Sequence, residues 1–195
     1  ADRGMRTGQI GIDETVPFVF SDGIAKAAPG IVLVSGTPVS AGCRMIKSAH
    51  ELDLMRLAAK VSWMAYKAAY ESIREGMTDH EFSALVGLAH RQLGFEGGAD
   101  VQTGIYSALP HGSLTPQKIT EGTILLMDGG CKVEGYASDI SRTFVLGKPT
   151  DKMKRVFDIV HQAQTAAVKT ARPGLACGEV DGAARKVISD AGYGP

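Results

Sequence analysis

Two aspartates are the residues of this 195-residue chain best placed to do chemistry. Asp128 closes the apolar run Leu125-Leu126-Met127 ahead of Gly129-Gly130, and Asp139 opens the run Ser138-Asp139-Ile140-Ser141-Arg142-Thr143. Both runs are β-prone and a short Gly-containing connection joins them, so the pattern predicts a hairpin with strands over 123–128 and 138–146. A hairpin symmetric about Val133 and Glu134 sets Asp128 directly opposite Asp139, with Cβ atoms about 4.5–5.5 Å apart. Two carboxylates that close repel each other unless a cation lies between them. A pair of divalent metal ions about 3.5–4 Å apart meets that need. An isolated Asp after an apolar strand is as often a plain turn former. Two opposed ones serve no purpose in a solvated turn and do serve a metal site.

His111 is the third candidate, in the turn Leu109-Pro110-His111-Gly112. A His in a turn is ordinarily a surface residue, and its interest depends on folding back toward the carboxylates, where it could donate to a developing negative charge. His50, His80 and His90 fall on the polar sides of helices and are expected to be solvated, His161 sits in a helix with no partner at a ligand spacing, and none of the four is given a role. Arg142 alternates to the face opposite Asp139 in a regular strand and reads as a structural ion-pair anchor. Other chemistries lack their residues: there is no P-loop, GxGxxG fingerprint, nucleophile elbow or CxxC pair.

Composition narrows the partners. Lys plus Arg equals Asp plus Glu at 21 each, so no basic field exists to hold nucleic acid or an anionic membrane. No apolar run approaches the roughly 20 residues a bilayer span needs. Cys43, Cys131 and Cys177 are odd in number and far apart, which fits reduced thiols in a cytoplasmic protein rather than a disulfide frame.

The elements that must position the candidates fall into two segments. Residues 1–47 carry short apolar runs at Gln9–Ile12, Phe18–Phe20 and Ile31–Val34, expected as strands, with a short helix over 22–28. This segment reads as the end of an α/β domain and its linker. From residue 48 to 195 the pattern is helical pairs and strands. Ser48-Ala49-His50-Glu51 and Thr78-Asp79-His80-Glu81 are capping boxes that open two helices, the first stopping at Gly76 and the second at Gly94. Leu52, Met55, Ala59, Tyr66, Ala69 and Ile73 mark the expected buried face of the first. A strand over 101–106 precedes the His111 turn and the hairpin, and two more helices follow over about 151–171 and 178–191. These last helices match the first two at a constant offset of 98 residues: Gly76, Glu81 and Gly94 recur as Gly174, Glu179 and Gly192, and Met55, Ala65, Ala68 and Ala69 as Met153, Ala163, Ala166 and Ala167. The fold class is therefore α+β, built on a duplicated helix–helix–strand unit whose second set of strands would lie beyond Pro195.

Met127-Asp128-Gly129-Gly130 with Gly135-Tyr136-x-Ser138-Asp139-Ile140-Ser141-Arg142-Thr143, and an Asp-to-Asp separation of 11, resembles the first metal-binding motif of the pita-bread metallopeptidases, which include creatinase, aminopeptidase P, prolidase and methionine aminopeptidase. Arg44-Met45-Ile46-Lys47-Ser48-x-x-Glu51 resembles the start of that family's catalytic domain, Ser107-Ala108-Leu109-Pro110-His111 its substrate-side histidine segment, and 174–192 the helix leading to its next motif. The α/β segment before Arg44 points to the prolidase/aminopeptidase P branch. The resemblance implies an Xaa-Pro dipeptidase or aminopeptidase in which a dinuclear metal-bound hydroxide (Mn²⁺, Co²⁺ or Zn²⁺) cleaves the bond before proline. Short peptides with proline at the second position would be its substrates, and a homodimer its assembly. It implies that Asp128 is a terminal ligand of one metal, that Asp139 bridges both, and that His111 stabilises the tetrahedral intermediate. The family's remaining ligands, a His and two Glu, fall after the equivalent of Pro195. The catalytic domain is thus expected to be incomplete at its C-terminus, metal binding weak, and the chain alone inactive. The alternatives are a non-catalytic pita-bread module that binds peptide, and a creatinase-like hydrolase of a small C–N amide. Creatinase works without the metal aspartates, so Asp128 and Asp139 count against the latter.

Overall fold

The computed structural model describes Gly4 and residues 6–194. The chain forms two compact units, Ala1–Arg56 and Leu57–Pro195. In the first, β1 (Gly8–Ile12) and β2 (Ile31–Ser35) pair in parallel across α1 (Phe18–Ala27), and α2 (Thr37–Arg44) follows. Phe18–Phe20 opens α1 instead of forming a strand. Pro17 sits at the helix entry, and its carbonyl accepts the Phe20 N–H at 3.0 Å, so the three apolar residues begin a helical turn.

The long helix α3 (Ala49–Glu71) starts on the expected box: Ser48 N–H donates to Glu51 Oε2 at 2.6 Å, and Glu51 N–H returns to Ser48 Oγ at 3.3 Å. The box that opens α4 (Asp79–Gln92) has the same form, with Thr78 and Glu81 in the two roles. α4 is closed by Gly94, in the left-handed region at φ +86°. α3 ends at Glu71 instead of running on to Gly76 (φ +87°), because the Ser72 and Ile73 N–H groups turn back to the carbonyls of Ala69 and Tyr70 at 3.0 and 3.3 Å.

The second unit's sheet has β4 (Ile124–Val133) at its centre. On one side lies β3 (Gly97–Thr103), antiparallel; on the other lie β5 (Tyr136–Ala137) and β6 (Ile140–Val145), also antiparallel. β3 begins four residues ahead of the expected strand, and Gly104–Ala108 is a 3₁₀ turn. Gly97 starts β3 because only a residue without Cβ fits: a Cβ there would lie 2.6 Å from both the Cys131 Cβ and the His90 ring.

Helices α3 and α4 cover one face of this sheet. The core comprises Tyr66 and Ala69 of α3, Phe82 and Val86 of α4, Ala99 and Val101 of β3, Leu125 and Met127 of β4, and Ile119, with Ile140 and Phe144 of β6 packed against it. The Phe144 ring meets Phe82 and Tyr70 edge-on, at 6.2 and 5.0 Å between centroids. The buried face of α3 runs through Ala58, Val61, Ser62, Ala65, Tyr66 and Ala69, so Leu52 and Met55 are not part of it. Small residues on this face bring the helix close to the sheet, close enough for the Cys131 thiol to donate to the Ala58 carbonyl at 3.3 Å.

Helices α5 (Asp151–Thr170) and α6 (Cys177–Asp190) pack on each other. Both ends of α6 lie 98 residues after the ends of α4, and Gly174 and Gly192 take the same left-handed φ as Gly76 and Gly94. The repeat seen in the sequence is therefore a repeat of backbone geometry. No helix among the described residues is long and apolar enough to cross a membrane.

Candidate functional site

Asp128 and Asp139 share the hairpin, but they do not face each other directly. Asp128 pairs with Ser141 and Gly129 with Ile140, and beyond them Val133 pairs with Tyr136. The turn is thus Glu134–Gly135, one residue later than the symmetric placement. Both take positive φ, +49° and +85°, as a two-residue primed turn requires. Val133, β-branched, would be strained there, while Gly135 is not. The register moves by two residues, so parity is kept: Asp139 lies on the same face as Ser141 and Asp128, diagonal to Asp128 instead of opposite it. Ser141 Oγ donates to Asp128 Oδ1 at 2.5 Å and orients that carboxylate.

The glycines after Asp128 have steric reasons. A Cβ on Gly129 would lie 2.8 Å from the Ala99 Cα of β3, and one on Gly130 would overlap the Ser138 carbonyl. The neighbours on both sides approach β4 closely just beyond Asp128, which the Met-Asp-Gly-Gly run permits.

A third carboxylate enters from the other edge. Asp100 of β3 pairs directly with Asp128 and is exposed like it, an unfavourable arrangement for like charges. Sequence reasoning missed it, because its strand was placed to begin at Val101. The buried phenol of Tyr66, whose hydroxyl donates to the Ile140 carbonyl at 3.1 Å, registers all three acids. Burial first, then the charges of Asp128, Asp139 and Asp100, push its pKa well above the phenol range, with Arg142 opposing. A phenol raised in the folded state loses its proton first in the unfolded chain, so its contribution to stability is intact below about pH 10 and is lost as pH rises above that. Urea midpoints are therefore expected to fall between pH 9.5 and 11 in the wild type, and to fall less in Tyr66→Phe. Parallel pH profiles would refute this role.

His111 is exposed and precedes Gly112, which takes φ +61°. The space a Cβ would fill at Gly112 is occupied by the amide of Gln102, whose Oε1 would be 2.6 Å away. That oxygen is buried and has no hydrogen-bond partner among the described residues. The His111 loop is also tied at its far end: buried Asp79 accepts the Gln117 N–H at 3.0 Å, and Ile119 N–H donates to the Met77 carbonyl at 2.7 Å. His111, Asp100, Gln102, His80, Ser83 and Ser113 line one cavity of about 150 Å³. The structure thus brings His111 together with Asp100, and Asp128 together with both Asp100 and Asp139.

Two other residues differ from expectation. His90 is completely buried, while His50, His80 and His161 are exposed. Arg142 does lie on the face opposite Asp139, but it makes no ion pair among the described residues. Its guanidinium lies over the Trp63 ring, 5.1 Å from the centroid, and donates to the Ser141 carbonyl at 2.7 Å. No carboxylate of the sheet shares that face, and a half-exposed indole does.

Hard carboxylate oxygens suit divalent ions such as Mn²⁺. Among the described residues no group of three His, Cys, Asp or Glu could hold a metal. Asp128 and Asp139 therefore fit as part of a donor set and do not complete one.

Residues 53–195 match the profile of metallopeptidase family M24. The chain is 35% identical over 188 residues to an Xaa-Pro dipeptidase of Pyrococcus horikoshii, covering 95% of this chain and 54% of that protein. Among solved structures it is similar to a dipeptidase of Pyrococcus horikoshii (TM-score 0.90, 31% identity, 99% of this chain and 55% of that one). It is likewise similar to the prolidase of Pyrococcus furiosus (TM-score 0.86, 31% identity, 96% and 56%). The chain thus spans about half the length of the relatives it matches, and the neighbours are pita-bread prolidases. Since the matched region covers most of the sequence and includes the whole Asp-bearing hairpin, this chain belongs to metallopeptidase family M24.

Proposed function

We propose that this chain is the part of an Xaa-Pro dipeptidase or aminopeptidase that supplies the first two metal-ligating carboxylates, Asp128 and Asp139, of a dinuclear centre. The observation that carries the reading is the shared face of those two residues on one hairpin, with Ser141 orienting Asp128, in a chain 35% identical to an Xaa-Pro dipeptidase. Residues 1–47 are read as the end of an N-terminal α/β domain and residues 48–195 as an incomplete pita-bread catalytic domain.

A bound pair of Mn²⁺, Co²⁺ or Zn²⁺ ions would act as Lewis acids on the scissile carbonyl and lower the pKa of water. The chain's own contribution is positional. Asp128 and Asp139 hold charge at the hairpin, and Ser141 keeps Asp128 in one orientation. His111, on a loop pinned by Gln102 and Asp79, is the donor for negative charge that develops on the carbonyl oxygen. The substrates are short peptides with proline at the second position, and the protein works as a cytoplasmic homodimer.

Two carboxylates alone bind metal weakly, so the informative test is site-selective. Mn²⁺ is expected to broaden the amide resonances around Asp128 and Asp139 in the wild type and not in Asp128→Asn. An Xaa-Pro dipeptide is expected to shift the His111 ring resonances. The 195-residue chain alone is expected to hydrolyse no Xaa-Pro dipeptide, and Mn²⁺-dependent turnover would overturn that part. The alternative is a peptide-binding module without metal. Dipeptide-induced shifts with no Mn²⁺ broadening would select it.

A further inference from the structure

Among the described residues four polar side chains are buried: Ser62, Asp79, His90 and Thr103. Asp79 and Thr103 bond to nearby backbone groups. Ser62 and His90, both fully buried, bond to each other and onward to the hairpin. His90 Nδ1 lies 2.9 Å from the Val86 carbonyl, and His90 Nε2 lies 3.3 Å from Ser62 Oγ. Ser62 Oγ lies 2.8 Å from Ser138 Oγ, and Cys131 N–H donates to Ser138 Oγ at 3.0 Å.

The direction of every proton in this chain follows from its two ends. A carbonyl can only accept, so Nδ1 carries the proton of the neutral imidazole and Nε2 is the acceptor. Ser62 therefore donates to His90 and must accept from Ser138. Ser138 donates to Ser62 and accepts from the Cys131 amide. The Cys131 carbonyl also lies 3.4 Å from Ser138 Oγ, but the 2.8 Å contact to Ser62 is the shorter, and it makes a sequence of donors running from β4 through Ser138 and α3 into α4.

Its hairpin end bears directly on Asp139. In a regular antiparallel ladder the Cys131 N–H would go to the carbonyl of residue 138. Here the Ser138 side chain takes it, while the Ser138 N–H still donates to the Cys131 carbonyl at 2.9 Å. The Ser138 carbonyl is left over Gly130, in the space a Cβ would need. The ladder breaks between β5 and β6 at this point, and Asp139 is the next residue.

We infer that Ser62 and His90 form a positioning relay that fixes the Ser138 hydroxyl and thereby the backbone from which Asp139 projects. The link to metal binding rests on the reading of Asp139 as a ligand. The relay itself rests only on the hydrogen-bond chain. Neither Ser62 nor His90 touches the reacting groups; both act through Ser138.

The test uses the ¹⁵N-labelled 195-residue chain. In Ser62→Ala, without metal, the Asp139 amide resonance is expected to move. Exchange of the Cys131 amide should quicken at least 10-fold relative to that of Met127 on the same strand. With Mn²⁺ added, the concentration that broadens the Asp128 and Asp139 region should rise about 10-fold, the size typical for loss of an outer-shell partner. Ser62→Thr, which keeps the hydroxyl, should restore all three. A residue that only filled space would accelerate exchange along all of β4 alike. That outcome, or a folded Ser62→Ala with unchanged Cys131 exchange and Asp139 shift, overturns the relay. If Ser62→Ala does not fold, His90→Leu, which removes the acceptor for Ser62 and leaves the Ser138 hydroxyl in place, is read in the same way. Should the wild type take up no Mn²⁺ at Asp128, the metal-site reading fails, and the metal-free exchange data decide the relay alone.

Discussion

Alanine at position 130 is expected to destabilise the Leu57–Pro195 unit by about 3 kcal/mol and to push Ser138 and Asp139 off their places. The added Cβ would overlap the Ser138 carbonyl and lie 2.7 Å from its Oγ. Neither obstacle is the free end of a flexible side chain. One is backbone, and the other is held by Cys131 and Ser62. The strand must bend away, and the Cys131–Ser138 hydrogen bonds are lost with it. Gly98, paired with Gly130 across the β3–β4 ladder, is the matched control, because nothing lies within 4 Å of its Cβ position. Gly98→Ala should stay within about 1 kcal/mol of wild type. Urea denaturation of the two variants makes the comparison, and equal midpoints would mean that the close approach over Gly130 does not exist.

Phe82→Ala should cost about 3–5 kcal/mol, a large share of the 5–15 kcal/mol typical of a domain. Phe82 is fully buried between the sheet and α3, with its ring edge-on to Phe144. Truncation leaves a cavity in the core cluster that holds Tyr66, Val86 and Leu125, with Phe144 against it, and residues set on helix and strand backbone collapse into it only in part. Trp63 is the chain's single tryptophan and lies in this unit, so its fluorescence reports this unfolding. Ile105→Ala, at a side chain 79% exposed, should change the midpoint by less than about 0.5 kcal/mol. Similar losses for the two would show that the core is not where the burial places it.

What could be read from the sequence was what depends on neighbours along the chain. Ser48 with Glu51 and Thr78 with Glu81 are capping pairs within one turn, and both form. The repeat was legible because it preserves glycines, and Gly76, Gly94, Gly174 and Gly192 hold one backbone conformation. What needed the third dimension was misplaced or missed. The turn lies one residue beyond the centre of symmetry of the two runs, because a primed turn demands positive φ at both of its residues. Glu134–Gly135 meets that demand and Val133–Glu134 does not. Gly97 and Gly98 carry no strand signal of their own, and only the close approach of Cys131 and His90 explains the first of them. Asp100 depended on that strand and was lost with it. His90 was placed in solvent because a polar residue on a helix usually is. Only its partners, the Val86 carbonyl and Ser62, make burial tolerable.

Changes of length are not equivalent along this chain. The segment from Leu109 to Lys118 is irregular, and it could gain a residue without reversing any strand. The Glu134–Gly135 turn has no such freedom, because side chains alternate with a period of two and the turn sets the phase of everything after it. One residue inserted there would turn Asp139 and Ser141 toward the helices and bring Ile140, Arg142 and Phe144 out to water. Two would restore the phase and lose only local pairing. Viable descendants of this sequence should therefore vary in length at the exposed tip around Leu114, between the ties at Gly112 and Gln117, and at the Glu134–Gly135 turn only in even steps.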